Sequence, residues 1–283
     1  MSYQDRLSKI EEALNIGMER ADRYFGHSPF MVPDRDKIID IIKLFQSVMF
    51  PDYYKGEGKT SKRLERLFFL LKSQLTSAFS LRDSTGVVDT EELALSILDD
   101  LPTTRDMLIK DAQAIYEGDP AAISPEEVIL SYPGFLAISV YRIAHQLYVR
   151  GIPYIPRVMT EYAHERTGVD IHAGATVGEY FFIDHGTGIV IGETTVIGDR
   201  VKLYQGVTLG AKSFELGEDG NPVKGVKRHP NIGNGCIIYA NATILGGNTY
   251  VGDGSVIGGN VWLTHSVEPG STVIFDGTTS RKK

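Results

Sequence analysis

Three short segments of the chain carry side chains suited to moving protons and holding charge. Asp184-His185-Gly186-Thr187-Gly188 sets a carboxylate beside an imidazole, Lys227-Arg228-His229-Pro230 sets a guanidinium beside another, and Gly118-Asp119-Pro120 holds a further carboxylate. A histidine has a pKa near neutrality and can take the proton of a hydroxyl as that oxygen attacks an acyl carbon. A guanidinium can grip a carboxylate through two parallel hydrogen bonds. Another carboxylate, Asp170, precedes His185 by fifteen residues.

The elements that must position these groups differ between the two parts of the chain. Of 30 glycines, eight precede residue 168 and 22 lie from Gly168 onward. Glycine weakens helices and serves tight turns, so the first part should be helical and the second should not. Leu7, Ile10, Leu14, Met18 and Ala21 recur at helical spacing, as do Ile38, Ile41, Ile42 and Phe45, and Leu64, Leu67, Phe68, Leu71 and Leu75 after a cap at Thr60 or Ser61. Further helical stretches fall near 90–100, 103–117, 125–131 and 134–150, broken at Pro102, Pro120 and Pro133. Such faces are expected to build a bundle core, with some packing against another subunit.

From Asp170 the pattern changes to one aliphatic residue every six: Ile171, Val177, Ile183, then Ile191, Ile197, Leu203, Leu209, and again Ile232, Ile238, Ile244, then Val251, Ile257, Leu263. This is the signature of a hexapeptide β-helix, in which three short strands close a coil of about 18 residues. Two breaks interrupt the period. One contains Asp184-His185, and the other is a polar insertion over 210–231 that ends in Arg228-His229. Solenoid insertions leave as loops on one face, often the binding face. The expected architecture is α+β, a helical oligomerisation domain over 1–167 followed by a parallel β-helix over 168–283.

The 283 residues are 42% apolar and 23% charged, with a formal charge of −7, an ordinary globular balance that does not favour nucleic-acid binding. Cys236 is the lone cysteine, so the chain is expected in a reducing compartment, the cytoplasm. No apolar signal core opens the sequence and no run of about 18 apolar residues suits a membrane span.

The stretch VDIHAGATVGEYFFIDHGTGIVIGETTVIGD, with VTLGA, KRHPNIG and the upstream DAQAIYEGDPAA and YPGFLAISVYRIAHQLY, resembles the serine O-acetyltransferases. The resemblance runs from about Asp111 to Val267. It implies a left-handed β-helix, assembly as trimers or as hexamers of paired trimers, acetyl-CoA as donor, L-serine as acceptor, L-cysteine as a possible inhibitor, and no metal. It assigns the general base to His185 and the carboxylate that orients it to Asp170. Asp119 and Asp184 match the aspartates that hold the serine ammonium. Arg228 then suits the serine carboxylate, with His229 as a second donor. Gly210 and Ala211 suit the oxyanion through backbone N–H groups, and they and Ala240 leave room for the pantetheine arm. The family's active sites lie between subunits, so these residues need not come from one chain.

Two departures stand out. The insertion before KRHP is longer than usual for the family, and the chain stops at Ser280-Arg281-Lys282-Lys283 without the terminal isoleucine that docks into the sulfhydrylase, which puts that complex in doubt. Blander roles are expected for His172 at a coil corner, for His145 and His164 in helix packing, and for Cys236 in the core. The competing functions are an acetyltransferase for a sugar or antibiotic, a zinc enzyme using His172, His185 and His229, and a non-catalytic scaffold.

Overall fold

The computed structural model describes residues 2–25, 32–82 and 88–275. Eight helices come first among them: α1 (Tyr3–Phe25), α2 (Arg35–Met49), α3 (Thr60–Arg82), α4 (Thr90–Asp99), α5 (Leu101–Gly118), α6 (Pro125–Ser131), α7 (Pro133–Val149) and α8 (Ile155–Thr167). Asp34 caps α2 and Asp89 caps α4 through side-chain oxygens that accept from first-turn amides. Proline occupies the first turn of α5, α6, α7 and α8, where its missing N–H costs nothing, so Pro102 lies inside the start of α5.

The apolar faces of α2, α3 and α7 are buried as expected, but that of α1 is not. Leu7, Ile10 and Leu14 are 48–64% exposed, because no other element of the described chain covers them. The side chains of Met18 and Ala21, and the tail Ser280–Lys283, lie outside the described residues. His145 packs as expected, its Nδ1 2.8 Å from the Ala173 carbonyl oxygen. His164 does not: it is exposed on α8, 3.5 Å from Glu161. Among the described residues no single helix is long and apolar enough to cross a membrane, and the apolar α7 is core.

Fourteen short strands follow, from β1 (Asp170–Ile171) to β14 (Thr272–Val273), all paired in parallel. They form three faces of a prism. Face A stacks β1, β4 (Val190–Ile191), β7 (Thr208–Gly210), β10 (Thr243–Leu245) and β13 (Trp262–Leu263); face B stacks β2 (Thr176–Val177), β5 (Val196–Ile197), β8 (Asn231–Ile232) and β11 (Tyr250–Val251); face C stacks β3 (Phe182–Ile183), β6 (Lys202–Leu203), β9 (Ile237–Ile238), β12 (Val256–Ile257) and β14. The repeat aliphatics are the inward residues. Ile171, Ile191, Leu209, Ile244 and Leu263 form one buried column, and the other two faces supply equivalent columns. Asp170 stands beneath Val190, twenty residues on, and Val190 beneath Thr208, eighteen on. The two extra residues of the first coil fall in the turn holding His185. β7 ends at Gly210 and β8 (Asn231–Ile232) resumes at Asn231, so the long insertion leaves the prism where expected.

Candidate active site

One half of the site is on the edge where face C turns into face A. α5 ends at Gly118 and α7 begins just after Tyr132, and both helix ends rest on β3 (Phe182–Ile183). A Cβ on Gly118 would lie 2.5 Å from the Phe182 ring, and one on Gly134 2.8 Å from the Ile183 carbonyl oxygen. Glycine at both positions lets the helices seat directly beneath Asp184-His185. That contact brings Asp119, the C-cap of α5, to the β-helix. Its Oδ1 accepts from the Ala121 N–H at 2.8 Å and its Oδ2 from the Tyr132 hydroxyl at 2.7 Å. These bonds, the one from Tyr132 first, hold the Asp119 carboxyl below the usual carboxylate range, with a smaller contribution from nearby His185. In return Asp119 raises the Tyr132 hydroxyl to about 12.

His185 sits at the apex of a three-residue turn closed by Gly186 N–H to the Asp184 carbonyl oxygen at 2.6 Å. Its φ of 55° is in the left-handed region that non-glycine residues rarely occupy, a strain often found at functional positions. The turn leaves the imidazole 70% exposed, with Nδ1 3.5 Å from Asp184 Oδ1. Asp170 is the outward residue of β1, on the coil level below. The expected Asp170–His185 pairing is not formed: among the described residues no hydrogen bond joins them, and His185 faces Asp184. Higher on the edge Tyr204 and Tyr239 stack with centroids 5.1 Å apart, and Ala240 follows.

The other half is on the next edge, where face A turns into face B. Arg228 Nη2 donates to Glu193 Oε2 at 2.5 Å, and the Tyr148 hydroxyl of α7 donates to Glu193 Oε1 at 2.8 Å. Burial raises the Glu193 carboxyl, but the bonds from Tyr148 and Arg228 together bring it below its ordinary value. The Thr194 hydroxyl oxygen accepts from the Arg228 and His229 N–H groups at 3.0 and 3.1 Å. Thr194 N–H donates to His229 Nδ1 at 3.1 Å, so His229 carries its proton on Nε2. Burial first, then the Arg228 charge, pushes the His229 imidazole down to about 4. A Cβ on Gly192 would meet the His229 ring at 2.1 Å, so only glycine admits this packing. Burial likewise lowers His172, whose Nδ1 accepts from the Gly174 N–H at 3.0 Å in the corner role expected of it.

The insertion forms a hairpin over this edge, with Val223 N–H to Glu215 O at 2.8 Å and Gly217 N–H to Asn221 O at 2.9 Å. Between it and Glu193 and Arg228 is a cavity of about 780 Å³, lined also by Phe214, Pro222 and Lys224. Gly210 and Ala211 open the insertion on this same edge. The chain therefore brings together Asp119, Asp184, His185 and Ala240 on one edge, and Arg228, His229, Gly210 and Ala211 on another. Sequence reasoning assigned no role to Tyr132, Tyr148, Glu193 or Thr194. Glu193-Thr194 lay within the quoted GIVIGETT stretch, the available signal, whereas Tyr132 and Tyr148 had none beyond their helical motif.

No family model matches the chain. Relatives and structures do. A plasmid-encoded serine acetyltransferase of Synechococcus elongatus is 44% identical over 263 residues, covering 86% of this chain and 82% of its own. The serine acetyltransferase of Bacillus subtilis is 45% identical over 168 residues, 59% of this chain and 73% of its own. Serine acetyltransferase isoform 3 of Entamoeba histolytica, solved in complex with cysteine, superposes with a TM-score of 0.74 at 35% identity, covering 86% of this chain and 83% of that one. A serine acetyltransferase in complex with CoA gives 0.56 at 27% identity, over 83% of this chain and 95% of that one. The fold is the left-handed β-helix that these proteins share. Identity at this level, sustained across more than four fifths of both chains, means that the chain belongs to the serine acetyltransferase family.

Proposed function

We propose that His185 is the general base in the reaction of this family, transfer of acetyl from acetyl-CoA to the L-serine hydroxyl, the step that opens cysteine biosynthesis. The observation that carries this reading is the exposed imidazole held out on a strained turn beside the Asp184 carboxylate, with its charge felt at Asp119. Serine is a zwitterion. Asp119 and Asp184 take its ammonium, while Arg228 and the Nε2–H of His229 take its carboxylate. His185 accepts the hydroxyl proton as that oxygen adds to the thioester carbonyl carbon. Backbone N–H groups at Gly210-Ala211 receive the oxyanion. Collapse breaks the C–S bond, and the imidazolium returns the proton to the CoA thiolate. Asp170 orients the imidazole, a role that requires His185 to turn from Asp184 toward β1. Gly210, Ala211 and Ala240 leave the pantetheine arm room along the edges.

The two half-sites stand on different edges of one prism, so we read the complete site as formed between chains of a trimer, with α1 and its exposed face available to pair trimers. L-Cysteine, bound in the Entamoeba enzyme, shares the ammonium and carboxylate of serine and fits the same contacts as a competitor. A cytoplasmic setting suits the lone, buried Cys236.

Release of free CoA thiol with L-serine, glucosamine and chloramphenicol tests the acceptor, since the last two lack the paired ammonium and carboxylate. L-Serine is expected to be strongly preferred, and equal rates on a sugar would sink the assignment. His185→Ala is expected to lower kcat by roughly 10²–10⁴-fold with CoA binding intact. Near-normal turnover in that variant would place the base elsewhere.

A further inference from the structure

We infer that Tyr132 is a positioning residue for acceptor recognition: its hydroxyl fixes the Asp119 carboxylate in the orientation that receives the serine ammonium. This rests on the reading that Asp119 binds that ammonium. Asp119 follows the last residue of α5, where a carboxylate on its own could adopt several rotamers. Two donors on different segments hold it, the Ala121 N–H on Oδ1 and the Tyr132 hydroxyl on Oδ2. A carboxylate oxygen has two lone-pair sites, so each keeps one for a cation. The bond from Tyr132 therefore orients the group without filling it.

Tyr132 is itself rigidly mounted. Its N–H bonds to the Val128 carbonyl oxygen at 3.1 Å, closing α6, and it caps α7 with Pro133 next in line. Two residues on, Gly134 abuts the Ile183 carbonyl oxygen, immediately before Asp184-His185. One support thus sets both the ammonium-binding carboxylate and the strand that leads to the base. The Asp119 carboxylate can only accept, so Tyr132 acts here as donor, and the negative charges of Asp119, Glu127 and Asp184 keep its hydroxyl protonated.

The test is steady-state kinetics of Tyr132→Phe, Asp119→Asn and the double variant, with melting temperatures alongside. A hydrogen bond to a charged group supports an expected rise of roughly tenfold in KM for L-serine in Tyr132→Phe, with kcat and KM for acetyl-CoA within about twofold of wild type. Asp119→Asn is expected to raise KM for serine further, and the double variant to be no worse than Asp119→Asn, because both changes act through one contact. If Asp119→Asn raises KM for serine and Tyr132→Phe does not, the inference on Tyr132 falls while the role of Asp119 stands. If Asp119→Asn leaves KM for serine unchanged, the reading of Asp119 fails and takes the inference with it. Additive effects in the double variant, or a Tyr132→Phe effect seen equally in both KM values with a lowered melting temperature, would make Tyr132 a structural staple and overturn the proposal.

Discussion

The two histidines read as site residues are held in opposite ways. His185 is exposed on a left-handed turn, whereas His229 is 7% exposed, with Nδ1 committed as an acceptor to Thr194. His229 is thus kept neutral, and folding must oppose its protonation. Its folded pKa of about 4 lies below the ordinary histidine value of 6.5. The unfolded chain therefore binds the extra proton first as pH falls. The His229 contribution to stability is whole above pH 6.5 and is lost on acidification toward pH 4, a total of roughly 3 kcal/mol at about 1.4 kcal/mol per unit. His229→Asn, which keeps an acceptor near Nδ1 but does not titrate, is expected to flatten urea-unfolding stability between pH 6.5 and 4 relative to wild type. An unchanged slope would mean that another group controls acid stability. His185 and Arg228 were legible in the sequence because their residue types fall where the six-residue period breaks. Glu193 and Tyr148 were not, since what defines them is the contact of Glu193 with Arg228 across 35 residues and of Tyr148 with Glu193 across 45, and no local spacing encodes that.

At the scale of elements, a buried ion pair between two helices helps to fasten the helical part to the first coil. Arg142 of α7 donates to Asp111 of α5 through Nε at 2.5 Å and Nη2 at 2.8 Å, and Nη2 also reaches the Gly178 carbonyl oxygen at 2.7 Å. The Phe181 N–H bonds to Asp111 Oδ1 at 2.9 Å. The Arg142 and Asp111 side chains are both buried, so removing one partner strands the other. Arg142→Ala is expected to lower stability by about 3–5 kcal/mol. The double variant Asp111→Leu, Arg142→Met is expected to recover part of that loss and no more, because the Phe181 N–H and the Gly178 carbonyl remain unpaired. Denaturant titration orders the three proteins, and a wild-type midpoint for Arg142→Ala would show that the clamp is not needed. Most elements could be read ahead of the structure, since amphipathic spacing marks α2 and α3 and the hexapeptide period marks nearly every inward residue of the prism. α8 has no counterpart among the expected helical stretches, which end at residue 150, and Pro156 occupies its first turn. The exposure of α1 was also hidden, because amphipathic spacing identifies an apolar face but not what covers it.

The geometry of the whole prism decides where catalysis can occur. His185 is on the C–A edge and Arg228 on the A–B edge, separated by the full width of face A, whose outward column runs from Asp170 through Val190 to Trp262. Val190 and Trp262 on that face, and Val196 and Tyr250 on face B, are exposed apolar residues of the single chain. Three copies related by a closed threefold axis would cover such faces and set the His185 edge of one copy against the Arg228 edge of the next. This arrangement predicts complementation. His185→Ala and Arg228→Ala should each be nearly inactive alone, the second chiefly through a raised KM for serine. Co-assembled, a His185→Ala chain still supplies Arg228 and an Arg228→Ala chain still supplies His185. With random mixing at equal amounts, about a quarter of the contacts join two intact halves, so about a quarter of wild-type activity is expected. Light scattering would first establish that the mixed protein is at least trimeric, and an active monomer would rule out the shared site at once. If the mixture is trimeric and shows only the mean activity of the two single variants, each site is built within one chain, and Arg228 must reach its acceptor by a path other than the neighbouring edge.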